Sequence, residues 1–497
     1  MGGPSYTEAY STTPQDEEDE EEGEEFLFTS TPSSSPTSST FFTVSNQQRR
    51  RASDGGVSGH AFQVHTTCQP SPLSKEATPG SYRGFRNLAM LLFVANNTRL
   101  VVENYLKYGL RIGLPFTLGS FSLIPALAVA LALPWAHFIL STLLERHRFL
   151  PSLPQAVVQG LLVISTLVSP CLLLQEASGE RLPPFFLSLG CLMTSTIMSM
   201  KLTSMVLVCR EQQRKVAPRG EGERDSPRSF PSWTSVGYFV IAPTLCFQPV
   251  YPMVGQVRIK EVAKRLGELG IAVTAMWVVV EQYCRPTLEG SLRALDGPGG
   301  GVHFGVLVER TLKLSTSAVV VWLLMFYALF HAFLNLLAEV TRFGDRRFYD
   351  PWWNSRDLGE YWRTWNRPVH AFLKRHVHSP ILRRTGSVSL AAMVVFFVSA
   401  AMHEVIVGVP LGTVNGLAFG GMMAQMPLII LTRQVRRWRG EGSGVGNVVF
   451  WVSFCIVGQP LMCVIYYYEW AVREGLVPAQ GYHHPEVEVS VMDGEGV

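Results

Sequence analysis

His403 and Glu404 sit at the centre of "SAAMHEVIVGVPL" (399–411), and from Gly386 to Thr432 they are the only His, Asp, Glu, Lys or Arg in forty-seven residues. Ionisable groups in so apolar a stretch are costly in a bilayer, and they mark cavities, pathways or reaction sites. On a helix the two side chains project about 100° apart and cannot face one neighbour. His403 shares its face with Ser399, Ala400 and Val407, and Glu404 shares its own with Ala400, Ala401 and Gly408. Three chemistries are open to the pair. A metal centre needs further ligands on neighbouring helices; His331 in "FHAFLN" is a candidate, but no paired spacing supports it. A proton-coupled transporter could use the pair as a relay. An acyltransferase could use His403 as a general base on an alcohol attacking a thioester, which needs only a base of near-neutral pKa in a dry cavity.

A second chemistry-bearing stretch is "RFGDRRFYDPWWNSRDLGEYWRTWNRPVHAFLKRHVHSPILRR" (342–384), crowded with Trp, Tyr, Arg and His. Asn354 or Ser355 is expected to cap a helix beginning near Arg356, and Pro368 to end it. On that helix Trp362, Trp365 and Asn366 share a face, while Trp352 and Trp353 suit a membrane–water boundary. An interfacial anchor explains the tryptophans but not Asn366 and His370 on either side of Pro368. A basic, aromatic face fits an amphipathic ligand with a phosphate-rich head and a fatty tail, such as acyl-coenzyme A.

The elements that position these residues are expected to be membrane spans. The chain has 497 residues, 47% hydrophobic and 16% charged, with mean hydropathy +0.17; soluble domains carry about a quarter charged residues. A net charge of +3 gives no electrostatic case for nucleic acid. The eight cysteines are scattered, without CxxC or zinc spacing, and read as buried thiols. Met1 leads into Ser, Thr and acidic residues rather than a signal peptide, so the first hydrophobic span is expected to direct membrane insertion. Apolar stretches of bilayer-spanning length fall near 88–112, 121–144, 154–175, 183–208, 266–286, 314–340, 387–409, 413–432 and 447–470. Alternate loops are basic: residues 210–229 hold six Lys/Arg and 341–384 hold ten against four acids. The positive-inside rule then makes the N-terminus cytosolic and, with nine spans, the C-terminus lumenal.

Three regions result. Residues 1–80, with "DEEDEEEGEE" (16–25), "STPSSSPTSST" (30–40) and "RRRASD" (49–54), have the composition of a disordered cytosolic segment. Residues 81–475 form the membrane domain, with a basic cytosolic loop at 210–232 and the aromatic insert at 341–384; residues 476–497 form a lumenal tail.

Several motifs carry a resemblance. "HEVIVGVPL" (403–411), "GMMAQMPL" (421–428), "GQPL" (458–461), "FYDPWWN" (348–354), "WNRPVHAFLKRH" (365–376), "APTLCF" (242–247) and "FGDRRFY" (343–349) resemble type-1 diacylglycerol O-acyltransferases, in the sterol O-acyltransferase-like branch of the membrane-bound O-acyltransferase superfamily. The likeness runs from "ENYLKYG" (103–109) to about residue 470. It implies an all-α, tunnelled bundle of about nine transmembrane helices in the endoplasmic-reticulum membrane, often dimeric. The reaction it implies joins the acyl group of acyl-CoA, a co-substrate rather than a cofactor, to diacylglycerol, with no metal. The family's catalytic His falls on His403. Its acyl-CoA-binding positions fall on Phe348, Tyr349, Trp352, Trp353 and Asn354, on Trp362, Arg363, Thr364, Trp365, Asn366, Arg367, Pro368, Val369 and His370, and on His378. Ser399, Glu404, Met422, Gln425 and Gln459 would line the reaction chamber, orienting the thioester or helping the oxyanion.

Two departures stand out. The family's Asp before the paired tryptophans is Pro351, with Asp350 one place earlier, so any capping by that Asp is shifted or lost. The family's His-Glu-Tyr is His403-Glu404-Val405, without the Tyr hydroxyl. The motifs leave sterol or a long-chain alcohol as alternative acceptors. A transporter would favour internal repeats with interrupted helices, and the sequence shows none.

Overall fold

A computed structural model describes residues 83–111, 124–147, 151–178, 185–216, 231–295, 304–440 and 444–476. The expected disordered region 1–80, most of the 210–232 loop and the tail beyond residue 476 lie outside them. The chain divides into two compact units, Met1–Met90 and Leu91–Val497. Of the first, only residues 83–90 are described.

The described residues are mostly helical, with one isolated antiparallel bridge between Met253 and Phe343. In chain order the helices are α1 (Arg83–Tyr108), α2 (Ile124–His147), α3 (Ser152–Ser178), α4 (Phe185–Val216), α5 (Trp233–Ile241), α6 (Ile259–Val279), α7 (Arg285–Leu295), α8 (Phe304–Phe326), α9 (Leu334–Val340), α10 (Leu358–Thr364), α11 (Arg367–Leu373), α12 (Ser379–Thr385), α13 (Val388–Leu411), α14 (Leu417–Met423), α15 (Gln425–Arg439), α16 (Val445–Phe450) and α17 (Gln459–Arg473). Wider π-helical turns at Val280–Cys284, Tyr327–Phe333, Lys374–His378 and Trp451–Gly458 join α6 to α7, α8 to α9, α11 to α12 and α16 to α17. At the last of these a β-carbon on Gly458 would stand 2.6 Å from the Ser453 carbonyl oxygen, so the wide turn closes only around glycine.

Among the described residues, six stretches are long and apolar enough to cross a membrane: Pro125–His147, Leu153–Leu173, Phe185–Gln212, Phe304–Val340, Val388–Leu411 and Val445–Arg473. They match six of the nine expected spans, and the protein is an all-α polytopic membrane protein. The other three stretches are also largely helical, but charge or breakage interrupts them. Span 88–112 carries Arg99, Glu103, Lys107 and Arg111, and span 266–286 carries Glu268, Glu281 and Arg285. The 413–432 stretch is split at Ala424 into α14 and α15, and α15 ends in four arginines between residues 433 and 439.

Helices α2, α3 and α4 pack on one another; α13 rests on α4, α6 on α8, and α17 on α8. Two of the resulting apolar cores bear on the site. One joins Met198, Leu202 and Met205 of α4 to Phe239, Phe247, Phe343 and Phe348. The other joins Trp322, Phe326 and Phe330 to Trp352, Leu358, Tyr361, Ile429 and Phe450. The aromatic insert thus contributes to both. Of seven described cysteines, all unpaired, Cys191, Cys209, Cys284 and Cys455 are buried as expected, Cys171 and Cys246 are half-buried, and Cys463 is exposed.

Lys201, buried within α4, ends α5. Its Nζ donates to the carbonyls of Phe239, Val240 and Ala242 at 2.8, 2.8 and 2.7 Å, matching three ammonium donors to three acceptors at the helix terminus. Substituting Lys201→Met takes this donor from all three carbonyls, of which Ala242 keeps Thr244 N at 2.8 Å, at about 1–3 kcal/mol for each group left orphaned. Thermal unfolding of the purified variant in detergent is expected at a clearly lower midpoint than wild type.

Candidate functional site

Helix α13 is capped by Ser387, whose Oγ accepts from Leu390 N, and ends at Gly412 with φ +64°. Between these ends His403 Nδ1 lies 2.7 Å from the Ser399 carbonyl oxygen, one turn back. A carbonyl only accepts, so Nδ1 carries the proton. That oxygen already receives the helical N–H of His403 and has its second lone pair free for the ring. The imidazole is thereby fixed as one tautomer, with Nε2 a bare lone pair that has no hydrogen-bond partner among the described residues.

Glu404 points elsewhere, as the helical offset requires. Its Oε1 accepts from Gly416 N at 2.8 Å, and its Oε2 from Phe419 N at 2.9 Å and from Tyr466 Oη at 3.4 Å. Buried to 7% exposure, it clamps the turn after α13 and the first turn of α14 to α17. Asn415 to Glu469 and Arg473 to the Gly412 carbonyl reinforce that clamp.

The aromatic insert folds differently from its expected single helix. Asn354 closes a short 3-10 turn (Trp352–Asn354) and Ser355 follows it; neither caps α10. The cap is Asp357, whose carboxylate accepts from Glu360 N at 2.8 Å and pairs with Arg436 of α15 at 2.8 Å. That cross-link to a distant helix decides between neighbouring cap candidates. Pro368 does not end the helix either. It sits in the first turn of α11, where its missing N–H costs nothing, and Asn366 caps that helix by accepting from Val369 N at 3.2 Å.

The expected acyl-CoA positions divide by environment. Phe348 and Trp352 are buried at 3% and 1% exposure, and Trp352 packs edge-on to Trp322 and Phe326, with ring centroids 5.0 Å apart in each case. Tyr349 accepts at its hydroxyl from His331 Nδ1 at 2.8 Å, while His331 Nε2 accepts from Arg265 at 2.7 Å. Both nitrogens of His331 are therefore engaged with protein. Among the described residues no group of three or more His, Cys, Asp and Glu could hold a metal ion. Trp353, Asn354 and Arg363 are exposed, and Thr364, Val369 and His378 are half-buried. Burial, reinforced by Lys374, Arg363 and Arg367, lowers the His370 imidazole to about 4, so it is neutral at cellular pH.

Trp365 stacks beside Tyr361, and Trp362 packs edge-on against Phe396, centroids 6.0 Å apart. Phe396 is two turns before His403 on the same face of α13, a rise of about 10 Å. The insert therefore meets the helix of the candidate base on the stripe that holds Ser399 and His403. Met422 is buried on α14 and Gln459 opens α17; Gln425 donates to the Gly421 carbonyl at 3.3 Å and leaves its buried Oε1 unpartnered. None of these three hydrogen-bonds to His403.

Two links that sequence reasoning missed are His376, joined to Ser204 at 2.8 Å, and Arg375, donating to the Phe247 carbonyl at 3.2 Å. They tie the π turn after α11 to α4 through Ser204 and to the "APTLCF" segment through Phe247. No local pattern announces such pairs, since the partners lie more than a hundred residues apart.

Residues 302–467 match the model of the MBOAT, membrane-bound O-acyltransferase family. Over 425 residues the chain is 36% identical to a diacylglycerol O-acyltransferase 1B of Glycine max, covering 83% of this chain and 82% of that protein. The chain belongs to the type-1 diacylglycerol O-acyltransferase family. Diacylglycerol O-acyltransferase 1 of Arabidopsis thaliana is 35% identical over 429 residues, 83% of this chain and 78% of that one. Diacylglycerol O-acyltransferase 1 of Dictyostelium discoideum is 34% identical over 411 residues, covering 81% of this chain and 64% of its relative. For this member of the family, the insert's docking rests on a close backbone approach: a β-carbon on Gly446 would stand 1.9 Å from the Arg356 carbonyl oxygen. Replacing Gly446 by Ala is expected to displace the insert and destabilise the fold by about 1–3 kcal/mol. A lowered unfolding midpoint in detergent, together with faster proteolysis within 341–384, is the measurable outcome.

Proposed function

We propose that the protein transfers a fatty acyl group from acyl-CoA to the free hydroxyl of diacylglycerol, making triacylglycerol, with His403 as the general base. The observation that carries this reading is the fixed tautomer of His403. Nδ1–H is held by the Ser399 carbonyl, so Nε2 is the group able to accept a proton. The acceptor hydroxyl gives its proton to Nε2 as its oxygen attacks the thioester carbonyl. The tetrahedral intermediate then expels the coenzyme A thiolate, which takes the proton back from the imidazolium. No net proton is produced, and neither a covalent enzyme intermediate nor a metal is required. The Ser399 carbonyl stabilises the transient imidazolium through the same Nδ1–H bond.

Acyl-CoA is bound by the 348–370 insert and His378, with the arginines meeting its phosphates and the aromatic rings packing its pantetheine arm. The Trp362–Phe396 contact supports this placement, because it joins the insert to the His403 stripe. Ser399, Met422, Gln425 and Gln459 line the chamber; the buried, unpartnered Oε1 of Gln425 is available to a polar group of substrate or to water. Glu404 acts on the chamber wall through its clamp on α14. The protein works as a homodimer or higher homo-oligomer in the endoplasmic-reticulum membrane, N-terminus cytosolic and C-terminus lumenal. The basic loops at 210–229 and 341–384 support that orientation.

The test uses cells lacking neutral-lipid synthesis, labelled oleoyl-CoA, and diacylglycerol, sterol and fatty alcohol offered in parallel. Labelled triacylglycerol is expected, and His403→Ala is expected to lower its formation by about 100- to 10,000-fold while the protein stays membrane-inserted. Label in steryl or wax ester would move the acceptor to the sterol-type branch. Undiminished activity in the His403→Ala protein would overturn the assignment of the base.

A further inference from the structure

By the motif resemblance the acid before the paired tryptophans stands one residue early in this chain, at Asp350, and there it has a partner. Phe348–Asp350 and Thr364–Arg367 run side by side: Asp350 N donates to the Thr364 carbonyl at 2.8 Å, and Arg367 N to the Phe348 carbonyl at 3.1 Å. Across this pairing the Asp350 carboxylate takes Arg347 Nε on one oxygen and Arg367 Nη1 on the other, both at 2.6 Å. Its side chain is 14% exposed, against 67% for Arg347 and 40% for Arg367. Burial alone would raise the Asp350 carboxyl, but the two guanidiniums hold it below the ordinary carboxylate range, so it is an anion at cellular pH.

The pair matters because of what stands on either side. Arg367 is the first residue of α11, between the cap Asn366 and His370. Asp350 lies between Tyr349 and the Trp352–Asn354 turn. Pro351 is exposed and its side chain caps nothing. Pro351 is the centre of a tight three-residue turn, φ −66° and ψ 62°, closed by Trp352 N donating to the Asp350 carbonyl at 2.6 Å, so an acid there would not occupy the place from which Asp350 meets Arg367.

We propose that Asp350 is a positioning residue for acyl-CoA, locking the Tyr349–Asn354 stretch to the Asn366–His370 stretch through Arg367. The proposal rests on the reading that this insert holds acyl-CoA, and it assigns to Asp350 the registry of the insert's two halves. It also accounts for proline at the place where the motif that this sequence resembles has an acid: the anion needed is the one that reaches Arg367.

The test measures steady-state kinetics of the purified full-length protein with oleoyl-CoA and diacylglycerol varied separately. Asp350→Asn is expected to raise KM for oleoyl-CoA about tenfold, with kcat and KM for diacylglycerol within about twofold, as loss of a charge-assisted tie that preorganises one substrate's site should do. Asp350→Glu is expected to recover most of the loss. Arg367→Met is expected to raise KM for oleoyl-CoA at least as much, since it removes the pair together with that guanidinium's own contact with acyl-CoA, and it tests the pair even where Asp350→Asn does not yield folded protein. The Asp350→Asn/Arg367→Met double variant is expected to be no worse than Arg367→Met alone, because the interaction that Asp350 makes is already lost there. Asp350→Asn/Pro351→Asp, which moves the acid to the family's position, is expected not to restore KM.

Unchanged KM for oleoyl-CoA in both single variants, additive losses in the double variant, or rescue by the moved acid would overturn the proposal. His370→Ala separates the positioning role from the binding role. If it raises KM for oleoyl-CoA while Asp350→Asn and Arg367→Met do not, the positioning role alone falls. If none of the three moves it, the acyl-CoA reading of the insert falls as well.

Discussion

Hydrocarbon offers no hydrogen bonds, so a polar group inside a membrane protein must be answered by the protein itself. That constraint explains the most distinctive contacts of this chain. Lys201 gives three donors to three carbonyls at the end of α5. Glu404 accepts from two backbone N–H groups and a tyrosine hydroxyl. His403 gives Nδ1–H to the carbonyl of its own preceding turn and keeps Nε2 uncommitted. The first two arrangements use up the side chain's chemistry in holding elements together. The third leaves one basic lone pair in an apolar helix, which is what proton abstraction from an alcohol needs.

The same logic organises the aromatic insert. Its buried part seals two apolar cores, through Phe348 in one and Trp352, Leu358 and Tyr361 in the other. Its polar anchors reach distant segments: Asp357 to Arg436 on α15, Tyr349 to His331 in the π turn after α8, and Arg375 to the Phe247 carbonyl beyond α5. If the insert holds acyl-CoA as proposed, a segment fixed from several sides binds it without being reshaped, and preorganisation of this kind lowers the cost of binding. The contact of Trp362 with Phe396 then relates the insert to His403 by a rigid helix rather than by a loop.

Much of this is legible in the sequence wherever a single strong physical signal acts. Uninterrupted apolar runs locate six spans to within a few residues, apart from the earlier start of α8. The isolation of His403 and Glu404 in an apolar stretch marks the candidate site from residue types alone. The 413–432 stretch is less legible because hydropathy is blind to the break at Ala424 that splits α14 from α15. Capping is ambiguous where Asn354, Ser355 and Asp357 all have suitable side chains, since Arg436, nearly eighty residues away, makes the choice. Pro368 resembles a stop signal, although the same lack of an N–H suits it equally to a first turn. Glu404's partners and the tautomer of His403 depend on where later segments fold back and on a carbonyl's spare lone pair. Neither leaves a trace in local pattern.

The most direct measurement of His403's role is an experimental structure of the full chain with a non-hydrolysable thioether analogue of oleoyl-CoA. If His403 is the base, the analogue's sulfur and adjoining carbon lie within about 3–4 Å of the space reached by Nε2, close enough for an acceptor hydroxyl to bridge them. The pantetheine arm then runs past Trp362 to the face of α10 and α11. A thioether resting elsewhere, with His403 Nε2 facing protein or lipid and no room for a hydroxyl beside it, would contradict that role.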